Sequence, residues 1–183
     1  MQKFTTNSSG NVQPEVSAVA VSWEETSIFS GSNRGIINVW DILSAKNTPS
    51  CTLKGHATSV NCFGLFPEQD NRIASGSYDT HIKLWDVRSK NNIGILKHHT
   101  KQINSIDVSP DCRYLISGSE DATTKLWDMR YPEKVVCTYS EHSAPVNKVK
   151  FNPDDCMFAS CSMDRTTKYF RCEHNHYDYI SST

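Results

Sequence analysis

A serine, a histidine and an aspartate are the working parts of a hydrolytic triad, in which imidazole takes the serine proton and the carboxylate holds the imidazole in one tautomer. Three such sets stand in this chain in the same order: His56, Ser75 and Asp79; His99, Ser117 and Asp121; His142, Ser160 and Asp164. A tryptophan follows the first two sets, Trp85 and Trp127, and Phe170 holds that place after the third. Nucleophilic attack needs one serine, in one cleft, beside an oxyanion hole. A set written three times argues instead for a structural use, because a buried indole donor and a buried imidazole must each find a partner. An enzyme reading also lacks a phosphate-binding loop, a metal motif or a singular nucleophile.

The elements that must position these residues repeat with them. Residues 75–88, SGSYDTHIKLWDVR, return as SGSEDATTKLWDMR at 117–130, an offset of 42. Self-comparison at this step shows four copies. Each carries an apolar triplet spaced by three and then two: Val16, Val19, Val21; Val60, Phe63, Leu65; Ile103, Ile106, Val108; Val146, Val149, Phe151. Strict alternation gives two and two, so a strand with one bulge near its start is expected, since an extra residue re-aims the side chains after it. Turns follow at SPDC (109–112) and NPDD (152–155), then short β-rich runs such as RYLIS, TTKLW and VVCTY. Four strands per copy without helical periodicity predict an all-β chain of four small antiparallel sheets.

The Trp-Asp pairs at 40, 85 and 127, the Gly55-His56 pair and the period near 43 resemble WD repeats, which build β-propellers. The resemblance spans residues 12–173. It implies four-stranded blades in which indole, serine, histidine and aspartate form one hydrogen-bonded chain per blade. The first copy keeps Ser30 and Trp40, has Val12 in the histidine column and reads Arg34-Gly35 where the others have Asp. Weaker locks at the two end copies fit the atypical terminal units of repeat proteins. GIINVWDI (35–42), SGSYDTHIKLWDVR, EHSAPVNKVKFNP (141–153) and MDRTTKYF (163–170) are similar to the WD-repeat regulatory, non-catalytic subunit of katanin, the microtubule-severing complex. That similarity implies protein partners among microtubule or severing-complex components, and a cytoplasmic location on the cytoskeleton or centrosome. The ATPase-engaging helical domain of that family has no counterpart after residue 173. A different class is implied by Trp85-Asp86-Val87-Arg88 and Trp127-Asp128-Met129-Arg130. Both resemble the endings with which substrate receptors of cullin-based ubiquitin ligases dock on their adaptor through arginines such as Arg88 and Arg130.

A net charge of −1 over 183 residues gives no pull toward nucleic acid or anionic lipid. No apolar run approaches a membrane span, and the first residues lack the apolar block of a signal peptide, so a soluble intracellular chain is expected. Seven cysteines without a CxxC pair fit free thiols rather than a disulfide framework. Cys172, His174 and His176 make too few ligands for zinc, so neither metal nor cofactor is expected. The repeats are expected at 12–45, 46–90, 91–133 and 134–173, after a flexible segment 1–11 and before a polar tail 174–183. Four blades lie at the low end of propeller sizes, which favours an open arc of a larger ring. Trp23 stands where later copies have proline and is expected to cover a turn; His98 is expected in a solvated loop. The residues before the Asp column (Asn33, Tyr78, Glu120, Met163) and before each triplet (Glu15, Ser59, Gln102, Pro145) differ from copy to copy. By resemblance they rim the face around the propeller axis, where a protein partner would bind.

Overall fold

The computed structural model describes residues 14–44, 46–67, 71–153, 157–173 and 176–183. They form sixteen strands in four antiparallel sheets, with no helix among the described residues. The first sheet holds β1 (Val16–Val21), β2 (Ser27–Ser32), β3 (Ile36–Asp41) and β4 (Cys51–Lys54). The second holds β5 (Val60–Leu65), β6 (Arg72–Ser77), β7 (Ile82–Asp86) and β8 (Asn91–Leu96). β9 (Ile103–Val108), β10 (Tyr114–Ser119), β11 (Thr124–Asp128) and β12 (Val135–Tyr139) make the third. β13 (Val146–Phe151), β14 (Met157–Ser162), β15 (Thr167–Glu173) and β16 (His176–Ser182) make the fourth. Strand order follows the chain in every sheet, so each is a meander closed by short turns.

The uneven triplet spacing has the anticipated cause. The pairing of the first and second strands slips once in every sheet, between Val16 and Ala18, Val60 and Cys62, Val146 and Lys148, and opposite Gly118 and Ser119 in the third. The slip turns the residues after it back to one face, and in the third and fourth sheets that face is fully buried at Ile103, Ile106, Val108, Val146, Val149 and Phe151.

The core lies between sheets rather than within them. Phe29, Ile37, Val39 and Leu53 of the first sheet pack with Val60, Ile73 and Trp85 of the second. Ala74, Ile82 and Leu84 of the second pack with Ile103, Ile106, Leu115 and Trp127 of the third. Ile116, Leu126 and Tyr139 of the third meet Val146, Val149, Phe158 and Phe170 of the fourth. One sheet buries a single face poorly alone, and stacking its neighbours supplies the missing area. Among the described residues the outer triplet of the first sheet has no such cover: Val16, Val19 and Val21 are 58%, 69% and 49% exposed, so the four blades form an open arc.

Two expectations about limits change. The sheets straddle the expected repeat boundaries, because β4, β8 and β12 fall in the next stretch of sequence; self-comparison fixes a period but not its starting point. The segment 174–183, expected as a tail, carries β16, which pairs with β15 from Lys168↔Ser182 to Glu173↔His176. Without it the N–H and C=O groups along the outer edge of β15 would lack strand partners. Tyr179 lies on Phe170 at 5.8 Å between ring centroids, so the strand also covers the last blade's core. The segment 1–11 and Val12 lie outside the described residues.

Candidate functional site

In each of the second and third sheets, four elements converge on one serine. Trp85 on β7 donates its indole N–H to Ser75 Oγ on β6 at 2.8 Å, and His56 Nε2, from the loop before β5, lies 2.7 Å from that oxygen. His56 Nδ1 is 2.8 Å from Asp79 Oδ2 in the β6–β7 turn. The third sheet repeats this with Trp127 Nε1–Ser117 Oγ at 2.9 Å, His99 Nε2–Ser117 Oγ at 2.8 Å and His99 Nδ1–Asp121 Oδ2 at 2.8 Å. The fourth keeps His142 Nε2–Ser160 Oγ and His142 Nδ1–Asp164 Oδ2, both 2.8 Å, with buried Phe170 in place of the indole. In the first, the bond of this lock seen among the described residues is Trp40 Nε1–Ser30 Oγ at 2.8 Å. A serine that accepts from indole has its own O–H free to donate to Nε2, which leaves Nδ1–H to donate to the carboxylate.

Burial raises the carboxyl of Asp79, but donors from His56, the Ala57 amide and the His81 amide outweigh it and hold the group well below the usual carboxylate range. Asp121 is likewise held down against burial by His99, Thr123 and the Thr100 amide, and Asp164 by Thr166, His142 and the Ser143 amide. Burial lowers the His99 pKa in spite of Asp121, which favours the neutral ring. In the third sheet the set is therefore a neutral imidazole bridging an ionised aspartate and a serine. Ser75 and Ser117 are fully buried and Ser160 nearly so, so no substrate carbonyl can approach the oxygen a triad would use.

A second serine column went unread in the sequence, although S-x-S recurs in SGSNR, SGSYD, SGSED and SCSMD. Ser77 Oγ donates to the Ser59 carbonyl at 2.7 Å and accepts the Asp79 amide at 3.1 Å; Ser119 and Ser162 do the same with Gln102 and Asp121, and with Ala144 and Asp164. This column ties the Asp turn to the loop that carries the histidine. The turn itself needs a left-handed residue: Thr80, Ala122 and Arg165 have φ of 72°, 65° and 70°. In the first sheet that place falls to Gly35 at 72°, where a Cβ would run into the His56 carbonyl.

The same turns bring the eight variable residues together in pairs. The amides of Asn33, Tyr78, Glu120 and Met163 donate to the carbonyls of Glu15, Ser59, Gln102 and Pro145 at 2.9 to 3.0 Å. Tyr78 and Met163 are 60% and 63% exposed, Asn33 and Glu15 are exposed, and Glu120, Ser59, Gln102 and Pro145 are half-buried. Arg88 and Arg130 leave the ends of β7 and β11 on exposed turns. Arg130 forks onto Asp128, with Nε at 3.0 Å and a terminal nitrogen at 2.5 Å from its carboxylate. His98 is exposed with its ring 5.8 Å from that of Trp127, and Trp23 is exposed in the turn after β1. No cluster of metal-ligating side chains and no helix able to cross a membrane occurs among the described residues. Cys172, His174 and His176 have side chains outside the described set.

Comparison with known proteins matches the geometry. Residues 2–41, 47–86, 90–128 and 133–171 match the model of the WD domain, G-beta repeat. The chain is 29% identical over 167 residues to anaphase-promoting complex subunit cdc20 of Dictyostelium discoideum, covering 89% of this chain and 33% of that protein. It is 35% identical over 130 residues to the guanine nucleotide-binding protein subunit beta of Oryza sativa subsp. japonica, covering 68% of this chain and 34% of that one. The chain thus spans about a third of the length of these relatives. A chain in the crystal structure of the mitotic checkpoint complex superposes with a TM-score of 0.84 at 24% identity, over 93% of this chain and 51% of its own. With four matched repeats and four blades built around one recurring lock, the chain belongs to the WD domain, G-beta repeat family.

Proposed function

We propose that this chain is a non-catalytic protein-interaction scaffold of the katanin regulatory kind, which targets or regulates microtubule severing from the cytoplasmic cytoskeleton or centrosome. The observation that carries the scaffold reading is the contrast at each turn between a buried lock that repeats and a rim residue that does not. Tyr78, Glu120 and Met163 sit beside Asp79, Asp121 and Asp164. A shared frame with an individual surface is what recognition of a protein partner requires. Two relatives carry names as subunits of larger assemblies, which supports the same class. The katanin form rests on the four quoted segments of sequence.

Co-sedimentation with microtubules polymerised from pure tubulin tests that form. Pelleting of the purified chain, and a change in severing rate when it is added to a severing ATPase, are the expected results; neither occurring would sink it. The ligase-receptor reading predicts instead capture of the cullin adaptor, lost on Arg88→Ala with Arg130→Ala. The fork between Arg130 and Asp128 would have to open for that contact.

A further inference from the structure

Of the seven prolines in the chain, two follow a serine or threonine: Pro49 after Thr48 and Pro110 after Ser109. A kinase cleft that accepts proline after the acceptor hydroxyl selects such pairs, because proline fixes its own φ, lacks an N–H and drives the residue before it to an extended backbone. The sequence offers both pairs; the fold does not. Ser109 is 3% exposed. Its hydroxyl donates to Asp111 Oδ1 at 2.5 Å and accepts the Tyr114 amide at 2.8 Å. Its own amide donates to the Tyr114 carbonyl, and its carbonyl accepts the Cys112 amide. Presenting that oxygen to ATP would mean opening the turn between β9 and β10.

Thr48 lies in the connection between β3 and β4, residues 42–50, which is longer than the connections at 87–90 and 129–134 in the next two sheets. Those shorter connections are closed by the Ser89 amide on Asp86 Oδ1 and by the Tyr131 and Lys134 amides on the Asp128 and Tyr131 carbonyls. In the long one the closing bonds sit at its ends. The Leu43 and Ser44 amides donate to Asp41 Oδ1, and the Ser50 amide and hydroxyl donate to the Val39 carbonyl. Between them Lys46, Asn47 and Thr48 are exposed. The Ser44 hydroxyl accepts the Lys46 amide and that of Ser50 is held by Val39, whereas the Thr48 hydroxyl bonds to no other described residue. β3 runs from the turn after Asn33 to this connection, so Thr48 stands at the end of the first sheet opposite the variable turns.

We propose that Thr48 is a phosphorylation site for a proline-directed serine/threonine kinase, and that the folded chain offers this acceptor while it withholds Ser109. The kinase brings Mg-ATP. Thr48 Oγ1 attacks the γ-phosphorus and its proton passes to a carboxylate of the kinase; the bond from that phosphorus to the β–γ bridging oxygen breaks, and ADP leaves. The modified chain gains about −1.5 to −2 charge at neutral pH. That charge sits away from Tyr78 and Glu120, so the site stands independently of the recognition face proposed above.

Incubation of the full chain with an active mitogen-activated protein kinase and Mg-ATP, followed by peptide mass spectrometry, tests this. Synthetic peptides of residues 44–52 and 105–114 are treated alongside. Both peptides are expected to be phosphorylated, and the folded chain to take phosphate on Thr48 and not on Ser109. The Thr48 signal is expected to be lost in Pro49→Ala, and Thr48→Ala to remain unmodified, each with the parent melting midpoint. Thr48 left unmodified in the folded chain overturns the proposal, whether or not the 44–52 peptide is a substrate. Ser109 modified in the folded chain as fast as Thr48 overturns it too. A 105–114 peptide that the kinase ignores would overturn the second half, by moving the selectivity from the fold to the sequence.

Discussion

Ser75 and Ser160 do the same work with different numbers of partners. Ser75 accepts from an indole and meets an imidazole, whereas Ser160 meets only the imidazole because Phe170 has no N–H to place. Ser75→Ala therefore strands two buried groups and Ser160→Ala one. Leaving a buried donor or acceptor unsatisfied costs about 1–3 kcal/mol, so denaturant unfolding is expected to show the larger loss for Ser75→Ala. Equal losses would mean that the indole bond contributes nothing. The lock also sets a pH dependence. His99 has a folded pKa below the ordinary 6.5, so its stabilising share is present above that value and is lost as pH falls through the folded pKa. Asp79 and Asp121 are held below the ordinary 3.8, so their share is present above it and disappears as pH falls further. Both shifts have one sign. The melting midpoint is expected to fall in two stages on acidification, first below about pH 6.5 and again below about pH 4, the ordinary ranges of the two groups. A flat profile from neutral to pH 4 would remove His99 from the account.

Elements were legible in the sequence where side chains repeat under a physical demand. The bulge could be read because Val60, Phe63 and Leu65 break alternation, and the lock because its four residue types recur in register. β16 could not, because HYDYISS has no branched run and no following copy to align with; what makes it a strand is the open edge of β15 beside it. The glycines of the second strands were visible as SGS, but their purpose was not, since it lies in the next blade. Gly118→Ala checks that purpose. Its Cβ would press on Val146 Cγ1 at 2.6 Å and Val149 Cγ1 at 3.0 Å, and neither valine can move without disturbing the core it shares with Phe158 and Phe170. Overpacking of this kind costs about 1–3 kcal/mol. Gly94→Ala, whose Cβ would come nearest to Leu84 Cδ1 at 3.3 Å, is expected to be the milder change in the same thermal assay. If the two substitutions cost the same, close approach between blades is not what these glycines provide.

For the whole molecule, the proposed scaffold role keeps stability and recognition on separate residues. Cores between sheets and serine locks hold the arc, and they repeat because each boundary faces the same problem. The variable turn residues do not repeat: Asn33, Tyr78, Glu120 and Met163 occupy equivalent turns of the four sheets, fixed in place by backbone bonds to Glu15, Ser59, Gln102 and Pro145. None of the four side chains is needed for those bonds, so they can vary without loosening the turn. Tyr78 is the strongest anchor of the set, because a 60% exposed ring with a polar tip can bury area on a partner and still satisfy its hydroxyl. Glu120, one blade on, adds a charge whose reversal a partner would feel and the fold would not. Tyr78→Ala combined with Glu120→Lys is expected to weaken capture of the proposed protein partner while unfolding free energy moves by less than about 1 kcal/mol, since Tyr78 is exposed and Glu120 only half-buried. Binding unchanged in the folded double variant would move the recognition surface away from this rim, to the outer strands or the exposed turns that carry Arg88 and Arg130.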